Sequence, residues 1–180
     1  MRKIIGVTGT AASGKDEVVR MLVRSIGWEH YSTSDEIRYE ATARGIGHSR
    51  PELSEIANEL RLGMGTSVLA ARALARAKGD VIISGIRNEG EIEYLKTQGD
   101  FTLIAVDASA DTREMRLRNR DEVRPGNDPD LKQDKKEFAG ASHGQQVGKC
   151  IEASDIIIMN DGTLDELRKK VDEFASGILK

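Results

Sequence analysis

Gly9-Thr10-Ala11-Ala12-Ser13-Gly14-Lys15-Asp16 stands between two stretches of different character. Before it, Ile4-Ile5-Gly6-Val7 is an apolar run of the kind a buried strand shows. After it, the apolar residues Val18, Val19, Leu22 and Ile26 recur at helical spacing. Strand, glycine-rich turn, lysine and helix form the context that a phosphate-binding loop requires. Glycines let the backbone curl until successive N–H groups point inward, and the helix N-terminus adds its partial positive charge. Lys15 then reaches the outer phosphates of a nucleoside triphosphate. One position departs from the pattern. The hydroxyl residue that ordinarily follows the lysine and holds Mg²⁺ is Asp16 here, with Glu17 next. A carboxylate also holds this hard cation, directly or through water.

The bulk of the chain narrows the class. At 180 residues it reads as one domain with a substantial core. A formal net charge of −3, with no basic run, argues against a polymeric nucleic acid as partner. The single cysteine, Cys150, excludes an intramolecular disulfide framework and fits a reducing cytoplasm. Between Val147 and Ile151 it reads as a core thiol. No N-terminal stretch has the form of a signal peptide, and no apolar run approaches membrane-spanning length. The expectation is a soluble, cytoplasmic monomer or homodimer with no membrane partner.

Strand and helix signals alternate along the chain. Trp28–Tyr31 reads as a second strand, and Ser32-Thr33-Ser34 supplies N-cap candidates for a helix over 35–41. Gly45 and Gly47 end that helix, Pro51 opens the next, and a third runs from Thr66 to about Lys78. The helical span 34–78 reads as an insertion over one side of the site. Val81-Ile82-Ile83 is a third strand, followed by a helix that Asn88 and Glu91 cap. Phe101–Val106 is a fourth, followed by a helix with Asp111 and Glu114 as its cap signature. Residues 121–130 are polar, hold Pro125 and Pro129, and read as a loop or lid reaching to about residue 138. A helix through Cys150, a fifth strand over 156–159 and a final helix complete the chain, with Leu164, Leu167, Val171, Phe174 and Ile178 facing inward. Apolar strands alternating with amphipathic helices predict an α/β fold: a parallel sheet with helices on both faces. Ligands then sit beyond the carboxyl ends of the strands. The glycine loop, Ser34-Asp35, Ser84–Arg87 and Asn160-Asp161 all fall there.

Phosphoryl transfer needs positioning and positive charge around the moving phosphate. Arg113, Arg116 and Arg120 share one helix face leading into the lid, and Arg124 lies in the lid. A solvated helix face is the plainer reading of that stripe; beside a phosphate loop, Arg116 and Arg120 become candidates for the transferring group. Arg87 follows a strand end directly and is the candidate for an acceptor phosphate or for the transferring group. Arg38 and Arg61, on the inserted helices, are further acceptor candidates. Asp35 at a helix start either serves the helix dipole or acts on chemistry, as a Mg²⁺ ligand or a general base. His30, His48 and His143 show no metal spacing and receive no role.

These motifs resemble the P-loop small-molecule kinases over most of the chain. Gly14-Lys15-Asp16, with Gly85-Ile86-Arg87-Asn88 leading to Glu91, is similar to the phage deoxynucleoside monophosphate kinases, the animal-type phosphomevalonate kinases and, more closely, the archaeal adenylate-kinase-related P-loop proteins. Ser34-Asp35-Glu36-Ile37 and the run from Gln146 to Leu164 resemble the dephospho-coenzyme A kinases. The resemblance implies a P-loop NTPase fold with a five-stranded parallel sheet, an acceptor-binding helical insertion and a short lid. It implies ATP and Mg²⁺ as cofactors. By position, Gly9, Thr10, Ala11, Ala12, Ser13, Gly14, Lys15 and Asp16, with Glu17 beside them, take the ATP phosphates, and Asp35 takes metal or acceptor. Arg87 takes acceptor, and Asn160 and Gly162 lie near the adenine. Ser84 departs from the adenylate-kinase-related pattern, which carries Asp before Gly-x-Arg. The expected activity is transfer of the γ-phosphate of ATP to a (deoxy)nucleoside monophosphate or dephospho-coenzyme A. The competing reading is a nucleotide-binding regulator or slow ATPase with an altered metal site.

Overall fold

The computed structural model describes residues 1–123 and 145–178. The first apolar run becomes β1 (Lys3–Gly9), the centre of a wholly parallel sheet. Its companions are β2 (Glu29–Ser32), β3 (Val81–Ser84), β4 (Asp100–Asp107) and β5 (Ile156–Met159), in the order β2-β3-β1-β4-β5. Successive strand side chains point to opposite faces, so a continuous apolar run feeds two cores at once. Ile5 and Val7 join Ile82, Ile104, Val106 and Ile158 under α1 (Lys15–Ile26) and the C-terminal helix Leu164–Ile178. Ile4 joins Val81, Ile83 and Leu103 on the other face. Gly6 interrupts the run for a steric reason: a Cβ there would stand 2.6 Å from Ile86 and 2.7 Å from the Phe101 ring.

Between β2 and β3 the chain forms α2 (Thr33–Ala43), α3 (Arg50–Met64) and α4 (Val68–Arg76). These helices share a small core of their own, with Ala41, Ile56, Leu60 and Leu69 buried together. Their ends follow the cap signals. The Ser32 hydroxyl accepts from the Ser34 N–H, Ser49 and Glu52 form a capping box, and Gly45 turns left-handed at φ 67° beyond α2. After β3 come α5 (Glu89–Gln98), β4, α6 (Ala110–Val123), α7 (Val147–Glu152), β5 and α8 (Leu164–Ile178). The five strands and the helices on both faces are those expected.

Four local expectations change. Helix α6 begins after Ser109, whose hydroxyl accepts from the Thr112 N–H, so Asp111 sits in the first turn and is not the cap. Residues 121–123 continue α6 instead of beginning a loop; the rest of the expected lid lies outside the described residues. Leu164 is 53% exposed, because α8 starts there beyond the edge of the sheet, while Leu167 and Val171 are buried. Strand β5 buries only Ile158; Ile156, Ile157 and Met159 are exposed. An apolar run predicts cover on both faces, and an edge strand receives it from fewer neighbours.

Cys150 is fully buried in the second core, and burial, with the Glu91 and Glu89 charges behind it, pushes its thiol up to about 12. The thiolate is the reactive form, so at pH 8 only about one molecule in ten thousand carries it. Labelling of the native protein by a chromogenic disulfide reagent is expected to be over a hundredfold slower than labelling of the urea-unfolded chain. Comparable rates would contradict the core assignment. Among the described residues, no helix is long and apolar enough to cross a membrane.

Candidate active site

Because every strand is parallel, the segments leaving their carboxyl ends gather on one edge of the sheet. The loop after β1 is the most constrained of them. Ala12 (φ 59°) and Gly14 (φ 92°) are both left-handed, which curls the backbone between Gly9 and Lys15. Glu17 and Val18 N–H groups close onto the Gly14 carbonyl, so α1 starts immediately at Lys15. The N-terminus of α1, with its partial positive charge, therefore follows the loop directly.

Neighbouring strand ends hold this loop in shape. Asn160, just beyond β5, donates from Nδ2 to the Ser13 carbonyl at 2.8 Å. A Cβ on Gly14 would stand 2.3 Å from that amide nitrogen. Arg116 of α6 donates to the carbonyls of Ala12 and Ser13 at 3.3 Å and to that of Asn160 at 2.9 Å. The Thr10 hydroxyl donates to Asp107 at the end of β4 at 2.8 Å. Gly162 is crowded by the Thr163–Glu166 cap of α8: a Cβ there would stand 1.8 Å from the Glu166 carboxylate.

The turn after β3 is built as firmly. Gly85 is left-handed at φ 80°, and the N–H groups of Gly85 and Ile86 both donate to the Val7 carbonyl, at 3.1 and 3.3 Å. The Thr8 hydroxyl donates to the Ile86 carbonyl and the Thr33 hydroxyl to that of Gly85, at 2.8 and 2.6 Å. This ties the ends of β1 and β3 and the start of α2 into one unit and delivers Arg87 to the edge. The Arg87 guanidinium donates to Gln145, and its N–H donates to Glu91 at 2.8 Å.

Asp35 lies exposed in the first turn of α2 and pairs with Arg38 at 2.9 Å. Asp16 is exposed in the first turn of α1. His30 of β2 meets Ser84: its Nε2 is 2.8 Å from the Ser84 hydroxyl. Partial burial lowers the imidazole pKa, while the charges of Asp35 and Asp16 pull it upward.

A family model described as an AAA domain matches residues 8–133. A UPF0200 protein of Hyperthermus butylicus is 31% identical over 97% of this chain and 94% of its own length. The chain belongs to the AAA domain family and to the UPF0200 proteins. A second UPF0200 relative, from Methanothrix thermoacetophila, is 30% identical over 94% of both chains. Among solved structures, a putative kinase from Chloroflexus aurantiacus superposes with a TM-score of 0.62 at 20% identity, covering 99% of each chain. Shikimate kinase from Aquifex aeolicus gives 0.58 at 21% identity over 98% of each. The fold is therefore that of the P-loop kinases.

Within this UPF0200 chain the anticipated residues have unequal positions. The loop residues Gly9 to Asp16, Asp35 with Arg38, and Arg87 all lie on the carboxyl edge. Glu17 pairs with Arg20 at 2.6 Å. Arg116, expected at the transferring phosphate, instead braces the loop through three carbonyls, which a stripe of arginines along a helix does not foretell. Arg120 lies in α6, and Arg124 is outside the described residues. Arg61 is corrected most: expected to meet an acceptor, it is 3% exposed and faces Glu91. Its position on the buried stripe of α3, beside Ala57 and Leu60, was the available signal. Sequence reasoning passed over His30 and Asp107. Both lie near strand ends, and only the strand register shows what each meets.

Proposed function

We propose that the protein is an ATP-dependent phosphotransferase that moves the γ-phosphate of ATP to a small phosphate-bearing acceptor. The observation that carries this reading is the shared edge. A curled, braced phosphate loop lies beside a separately anchored arginine at Arg87 and a helix start bearing Asp35. A loop that only held nucleotide would need no second anchored cation. ATP phosphates lie in the loop, with Lys15 at the outer ones and Asn160 and Gly162 on the adenine side. Arg116 fixes the loop. Arg120, one helical turn further along α6, is the remaining candidate for charge at the moving group. Arg87 takes the acceptor's phosphate, with Arg38 and Asp35 beside it.

The donor set suits Mg²⁺. Asp16 and Asp35 are exposed hard-oxygen donors whose charges are both felt at His30. Among the described residues, no group of three or more His, Cys, Asp or Glu side chains is placed to hold a metal. Mg²⁺ usually binds through one or two carboxylates, with phosphate oxygens and water completing its shell. Asp16 and Asp35 would hold the ion, which neutralises charge on the outer phosphates when bound.

The test is ADP release measured by a coupled assay over a panel of nucleoside monophosphates and dephospho-coenzyme A. Stimulation by at least tenfold with one acceptor supports the kinase. Slow release that no acceptor changes favours a nucleotide-binding regulator, the reading that Asp16 and Ser84 would then explain.

A further inference from the structure

The capping glutamate of α5 carries more than a cap. One oxygen of Glu91 accepts from the N–H groups of Arg87 and Asn88, at 2.8 and 3.1 Å. Its other oxygen makes no hydrogen bond among the described residues and faces Arg61 Nη2 at 3.7 Å. The two side chains are 0% and 2% exposed, so this is a buried ion pair bridging α5 and α3. Burial raises the Glu91 pKa, and the Arg61 charge opposes that shift.

A cap does not ask for this. A glutamine completes a capping box with the same acceptor oxygen and no charge to bury. Two buried charges cost more in lost hydration than they return unless geometry and further hydrogen bonds favour them. Here Arg61 Nε and Nη1 are without hydrogen-bond partners among the described residues. As a source of stability alone, the pair is poorly built. What it does accomplish is positional. The same carboxylate grips the backbone of Arg87 on one side and the helical insertion on the other. The Gln146 N–H fixes the Arg87 carbonyl at 2.6 Å, so the residue is held from both of its backbone polar groups.

We propose that Glu91 and Arg61 are positioning residues, a buried charge pair that sets the distance between α3 and the Arg87 turn and thereby shapes the acceptor subsite. The inference rests on the kinase reading above. Both side chains are buried, and the link from the pair to the carboxyl edge runs through the Arg87 backbone, so its effect falls on acceptor binding through Arg87.

The experiment is steady-state kinetics on the full chain with the acceptor that stimulates most. Glu91→Gln keeps the oxygen that accepts both backbone hydrogen bonds, removes the charge and turns an amide NH₂ towards Arg61. Together with Arg61→Met it leaves no unpaired buried charge, so the double variant is the one expected to fold even where a single one does not. The expected result is an acceptor KM raised about tenfold in Glu91→Gln and in the double variant, with the ATP KM within twofold and kcat within threefold of wild type. The double variant should be no worse than the single. A cap with only a structural role would lower the melting temperature and leave the acceptor KM unmoved. An acceptor KM within twofold of wild type in the double variant overturns the proposal while leaving the kinase reading intact. If the wild-type protein responds to no acceptor, both fall together.

Discussion

Lys15→Ala is expected to lose ATP binding by about ten- to a hundredfold while the protein stays folded. Lys15 is the first residue of α1 and belongs to none of the three buried apolar cores, so the substitution opens no cavity in them. Its charge, in contrast, stands where the backbone already converges on an anion. The left-handed residues Ala12 and Gly14 curl the backbone there, and the start of α1 adds its dipole. A charge-assisted hydrogen bond to phosphate contributes roughly 1.5–3 kcal/mol, which sets the size of the loss. Turnover should fall further, because charge on the moving phosphate grows towards the transition state and fixed cations act there most strongly. Calorimetric titration with ATP, beside a thermal melt, makes the measurement. Wild-type affinity in a folded variant would remove the central claim about the loop.

Asp35→Asn is expected to separate the acceptor classes. The exposed pair with Arg38 contributes about 0–1 kcal/mol, so the substitution should leave the fold intact. If the acceptor attacks through a sugar hydroxyl, as dephospho-coenzyme A would, that hydroxyl must lose a proton. A carboxylate acting as general base contributes about 10²–10⁴ in rate. A nucleoside monophosphate attacks through phosphate oxygens already mostly ionised at neutral pH, since the second pKa of a phosphate is about 6. The variant should then change acceptor KM or Mg²⁺ dependence more than the chemical step. Single-turnover transfer at saturating Mg²⁺ and acceptor decides between them. We expect a loss below about tenfold, because Arg87 is anchored as a phosphate-binding arginine would be; a hundredfold loss would instead establish the general base and the hydroxyl acceptor.

Much of the architecture was legible in residue order alone. Continuous apolar runs at 4–7, 81–83 and 101–106 supply two cores from one strand each, which only a sheet covered on both faces satisfies. Cap signals at Ser32 and Asn88 marked helix starts because the hydrogen bonds they make reach only two residues along the chain. The loop at 9–16 was legible for the same reason, since its glycines and the helix it opens are local signals, although Asn160, Arg116 and Asp107 brace it from afar. Tertiary structure decided what depends on partners distant in sequence. Arg116 and Arg61 are both arginines on amphipathic helices, indistinguishable by spacing. One meets loop carbonyls more than a hundred residues away, and the other meets a carboxylate thirty residues on, inside the protein. His30 reaches Ser84 only because β2 and β3 lie side by side in register. Local sequence encodes the backbone through short-range hydrogen bonds and periodic burial, whereas the role of a long charged side chain depends on what the packed neighbours place at its tip.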